Sequence, residues 1–94
     1  MVELTDARKK VLTEKLGDEL VALRAKAGLS QEELCNLLGI SRQSYGAFEL
    51  KKKDMTWRTC FSLILYFEYN TKTQDMLHAL GLFPDELNNE IDTE

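Results

Sequence analysis

The side chains best suited to chemistry stand together at Arg42-Gln43-Ser44. Arginine presents a rigid fork of donors that pairs edge-on with guanine or grips a phosphate. Glutamine pairs with adenine in the same way or holds the nucleic-acid backbone, and serine is short enough to approach either. Gln31 stands at the opening of the preceding apolar-periodic stretch, where unpaired backbone N–H groups attract phosphate. Ser41 precedes the trio, Ala47 follows it by one turn, and Lys51 and Lys52 come next as candidates for phosphate contact. Read alone, polar residues at a helix start and a short lysine run are ordinary solvated surface. Catalysis finds no support. His78 is the single histidine and is remote in sequence from both cysteines, so neither a metal site nor a catalytic base is expected. There is no phosphate-binding glycine loop and no nucleophile elbow. The chain is expected to be no enzyme and to need no cofactor.

The elements that must position these residues lie between Ser30 and Leu50. Ser30 with Glu33 spells a capping box, and Leu29 with Leu34 a hydrophobic staple. A helix from Gln31 to Leu38 then has Leu34, Leu37 and Leu38 on one face. Gly39 ends it where a residue tolerant of positive φ is wanted. Ser41 caps a second helix whose inward residues are Tyr45 and Phe48, which leaves Arg42, Gln43 and Ser44 to face outward. Two helices this close must nearly touch, and Cys35 is the small apolar residue available at the crossing. Such a pair is the helix-turn-helix arrangement, whose second helix enters the DNA major groove by its N-terminal end.

Residues 16–67 resemble the lambda-repressor/Cro-like (XRE-type) helix-turn-helix family of regulators. The matching residues are Leu16-Gly17, Leu20 and Leu23-Arg24 in a first helix, then Gly28-Leu29-Ser30-Gln31-Glu32-Glu33-Leu34, Leu37-Leu38-Gly39-Ile40-Ser41-Arg42-Gln43, and Phe48-Glu49. Three departures stand out. Cys35 replaces the usual alanine. Leu50-Lys51 stands where Asn-Gly is frequent, so the second helix is expected to end later. Gly46 and Ala47 replace longer polar side chains, which weakens base reading by the second turn. The resemblance implies a cytoplasmic, cofactor-free, sequence-specific DNA-binding regulator, a repressor by expectation, with Gln31, Ser41, Arg42, Gln43, Ser44, Ala47, Lys51 and Lys52 toward DNA. Two alternatives stay open: the antitoxin of a toxin–antitoxin pair, and a protein-interaction domain that has lost DNA binding.

Length and charge bound the rest. Ninety-four residues suit one domain (1–94), and one proline with five glycines suits an all-α fold of five or six helices. No apolar run reaches the roughly 20 residues of a membrane span, and the charged N-terminus lacks a signal-peptide core. Both cysteines occupy apolar helix positions and read as buried thiols. The net charge of −4 is awkward for a DNA binder, but residues 70–94 hold one lysine against six acids, leaving residues 1–69 at +1. With no separate ligand domain, a small-molecule effector is unsupported.

Around the central pair, Thr5 caps a first helix over 5–27, with Val11, Leu12, Leu16, Leu20, Leu23 and Ala27 as its apolar face and Thr13 or Gly17 as possible breaks. Thr56 caps a helix from Trp57 to Tyr69 whose core face is Trp57, Cys60, Leu63, Ile64 and Phe67. Phe61 and Leu65 form a second apolar stripe, extended by Tyr69. A C-terminal extension over about 71–91 follows, with one helix running to Leu80 and another from Pro84 to Ile91; Asp92 to Glu94 are expected to fray. One recognition helix reads too few base pairs to specify a site, so a homodimer on an inverted repeat is expected. Phe61, Leu65, Leu82, Phe83 and Leu87 are its expected interface.

Overall fold

The computed structural model describes residues 4–87. It is all-α, with helices α1 (Asp6–Ala27), α2 (Gln31–Leu38), α3 (Arg42–Glu49), α4 (Trp57–Tyr69) and α5 (Gln74–Ala79). Helical backbone resumes at residues 85–87, where the described residues end. The expected last helix thus begins just after Pro84, while Ile91 and Asp92 to Glu94 lie outside the described residues.

The caps set the boundaries. The hydroxyls of Thr5, Ser30, Ser41 and Thr56 each accept from the backbone N–H three residues on, at 3.0–3.3 Å. Gly28 and Gly39 close α1 and α2 in the left-handed region, φ 76° and 70°. The helix α1 is continuous through Thr13 and Gly17, the two positions where a break was possible. The Thr13 hydroxyl donates to the Lys9 carbonyl at 2.8 Å and so stays within the helix. The exit from α3 is also shorter than expected. Lys51 itself adopts φ 61°, supplying the left-handed residue that ends the helix at Glu49.

The core forms where α1 packs on α3 and α4, and α4 on α5. Leu16, Leu20 and Leu23 of α1 meet Leu34 and Cys35 of α2, Tyr45 and Phe48 of α3, and Cys60, Leu63, Ile64 and Phe67 of α4. Not every apolar residue follows the expected faces. Val11 and Leu37 stand 54% and 61% exposed, because the core reaches only one flank of α1 and α2. The residues expected at a dimer surface differ in burial. Leu82 is fully buried and Phe83 nearly so, inside the chain's own core. After Gly81 the chain folds back, with the Leu82 N–H bonded to the Leu77 carbonyl and the Phe83 ring stacked on His78. Neither is free for a second copy. Phe61, Leu65 and Leu87 remain half-buried, and Tyr69 is exposed.

Candidate nucleic-acid interface

The outward face of α3 is built from its inward face. Tyr45 and Phe48 sit in the core and fix the rotation of the helix, which puts Arg42 and Gln43 in solvent at its first turn. The turn before it is short: the N–H groups of Gly39 and Ile40 both bond the Cys35 carbonyl, at 2.8 Å and 3.1 Å. Cys35 is 2% exposed at the contact between α2 and α3, and burial pushes its thiol pKa up, so it sits there as a small apolar group.

A polar chain ties three helices together behind this face. Arg24 holds Glu49 with Nε to Oε2 at 2.7 Å and Nη2 to Oε1 at 3.1 Å, and its Nη1 donates to the Leu29 carbonyl at 3.1 Å. Gln31 Nε2 donates to the same Glu49 Oε1 at 2.7 Å. The end of α1, the start of α2 and the end of α3 are therefore fixed by one carboxylate. Burial pushes the Glu49 carboxyl up, but the bonds from Arg24 and its neighbours outweigh this and hold it below the usual carboxylate range. The Tyr45 hydroxyl is buried without a hydrogen-bond partner; burial first, then Glu49, pushes its pKa far up, so it stays protonated.

The expected contact residues are not equivalent. Arg42 and Gln43 are exposed. A Cβ at Gly46 would stand 3.5 Å from Arg42 Nη1 and 3.9 Å from Gln31 Oε1. Both are ordinary van der Waals distances, so the Arg42 guanidinium lies beside Gly46 without depending on the missing side chain. Ser41 uses its hydroxyl as a cap. Ala47 is half-buried, and Lys52 is exposed. Lys51 points elsewhere: its ammonium bonds Asp18 at 2.8 Å and the Glu14 carbonyl at 3.0 Å, lying across α1 at Gly17. Of the lysine run, Lys51 is thus paired within the chain while Lys52 is left in solvent. Lys53 Nζ reaches the Ser44 hydroxyl at 3.2 Å and lies 5.9 Å from the Phe48 ring centroid, beside the opening of α3. No spacing rule links a loop lysine to a helix residue nine positions earlier, because the turn between them reverses the chain.

Residues 15–59 match a family model described as a helix-turn-helix domain. The segment is a helix-turn-helix domain. A helix-turn-helix is an arrangement suited to DNA binding. No curated protein and no solved structure matches the chain. The helix-turn-helix domain begins after the first nine residues of α1, so Asp6–Glu14 are an extension of that helix beyond it. Among the described residues, no helix is long and apolar enough to cross a membrane, and no group of three or more His, Cys, Asp and Glu is placed to hold a metal. His78 bonds Glu68 at 2.6 Å, joining α5 to α4.

Proposed function

We propose that the chain is a sequence-specific transcriptional repressor that binds operator DNA as a homodimer. The observation that carries this reading is the exposed Arg42-Gln43 pair on the first turn of α3, a helix whose opposite face is locked into the core. A rigid helix with free edge-reading side chains at its N-terminus suits the major groove. Arg42 pairs with a guanine edge and Gln43 with an adenine edge. The opening N–H groups of α2 meet a phosphate, and the exposed Lys52 and Lys53, in the loop after α3, supply further phosphate contacts. Gln31 serves chiefly as a brace, since its amide is committed to Glu49.

The second copy binds away from α3. Trp57, Phe61, Leu65 and Tyr69 recur every four residues along α4; the first two stack at 5.6 Å, and Tyr69 is 83% exposed. Phe61, Leu65 and Tyr69 of that row, together with Leu87, are the surface we assign to the partner subunit. A two-fold dimer would place its recognition helices about 34–36 Å apart, one turn of duplex. Repression follows by occupation of promoter DNA. Selection of bound sequences from random DNA tests the reading. A two-fold symmetric enriched site is expected, and no enrichment over input DNA overturns it.

A further inference from the structure

A cavity of about 310 Å³ opens between the extension of α1 and the loop that follows α3. Its floor is apolar: Phe48 from α3, Met55 from the loop and Trp57 from the start of α4. One wall is the segment of α1 before the helix-turn-helix domain, carrying Lys9, Lys10 and Thr13; Lys53 stands on the other. Three apolar side chains beneath a rim of seven charged ones, in about 310 Å³, suit a small ligand with an apolar body and a charge rather than a phosphate-backbone track, which needs no apolar floor.

We propose that this cavity binds a small organic acid with a flat apolar body and one negative charge. The body lies on the Phe48, Met55 and Trp57 floor, where two aromatic rings favour a planar group. The acid group meets ammonium groups from either wall. Lys9, Lys10 and Lys53 make no ion pair among the described residues, whereas Lys51 is held by Asp18. Asp6, Glu14 and Asp54 also lie on the rim, which sets the limit at a single charge and repels a dianion. The site is joined to the DNA-reading helix through two residues. Phe48 belongs to α3, and Lys53 donates to the Ser44 hydroxyl at 3.2 Å. A bound acid draws the Lys53 ammonium from Ser44 and so changes the opening turn of α3. The binding site stands without the DNA reading; its effect on operator affinity rests on it.

The probe is 2-naphthoate, titrated into the full chain and followed by amide NMR, with the indole N–H of Trp57, the only tryptophan, as reporter. Saturable shifts are expected at Gly17, Met55 and Trp57, with half-saturation below about 1 mM, and the neutral 2-naphthamide should bind about tenfold more weakly. The Lys9→Ala/Lys10→Ala variant lies outside the helix-turn-helix domain and should weaken naphthoate several-fold without a change in Tm. Absence of saturable shifts, naphthamide equal to naphthoate, or a double variant that binds as the parent does each overturn the proposal. A Ser44 amide that stays fixed while the cavity fills overturns the coupling to α3. All of these are read without DNA, so failure of the repressor reading and failure of this site are separately visible.

Discussion

The Arg24 guanidinium holds the Glu49 carboxylate through two bonds, and Gln31 adds a third to the same group, so three helices share one side chain as their common anchor. The Glu49 side chain is only 5% exposed, so removing Arg24 strands a buried charge. Arg24→Ala should cost about 3 kcal/mol in denaturant unfolding. The pair also sets an acid limit. Its bonds outweigh burial and hold the folded Glu49 pKa below the unfolded value of about 4.3, so its contribution is complete above that pH and is lost as pH falls through the folded value. Stability measured from about pH 6 down to about pH 3 should fall less steeply in Glu49→Gln than in the parent; equal slopes would remove Glu49 as the titrating anchor.

Base reading is expected from the first turn of α3. Arg42→Ala and Gln43→Ala should keep the parent Tm, because both side chains lie in solvent, and should each weaken binding to a selected operator by about 1–3 kcal/mol. Discrimination should relax at one base position per variant. Binding at parental strength by both variants would place the reading face elsewhere.

The crossing of α2 and α3 has no room to grow. Cys35→Ala is expected to be tolerated, whereas Cys35→Leu should overpack by roughly 1–3 kcal/mol. Thermal melts of the two variants compare the outcomes directly, and a Leu variant as stable as the Ala variant would deny the close contact.

Gly17→Ala should stabilise. A Cβ there would meet Lys51 Nζ at 3.0 Å, but that atom is the far end of a flexible chain in an exposed ion pair worth only about 0.2–1 kcal/mol. Replacing a mid-helix glycine gains about 1 kcal/mol, which is the larger effect. Unfolding at a midpoint below the parent's would mean that the Lys51 bridge matters more than its exposure suggests.

The dimer surface is expected on α4. Leu65→Glu places a charge in the middle of the half-buried row while sparing the buried face of Leu63, Ile64 and Phe67. It should sediment as a folded monomer at micromolar concentration and bind an inverted repeat far more weakly than the parent. A variant that sediments with the parent would move the interface off this row.

The starts of α1 to α4 and the ends of α1 and α2 were written in the sequence because each depends on neighbours in the chain. Thr5, Ser30, Ser41 and Thr56 cap their own helices, Gly28 and Gly39 end them, and the spacing of Tyr45 and Phe48 turns Arg42 and Gln43 outward. These are local effects, a few residues in range, and a one-dimensional pattern records them. What only the tertiary structure decided is which long-range partner each side chain takes. Lys51, Lys52 and Lys53 are alike in sequence, yet one is bound to α1, one is free in solvent and one leans on Ser44. Leu82 and Phe83 had the same apolar character as Leu65, but the chain reverses at Gly81 and buries them. The cavity is a matter of assembly in the same way, since its walls come from α1 and from a loop more than thirty residues later in the chain. Local propensity carries no information on such meetings, because they are settled by how the helices pack around a shared core.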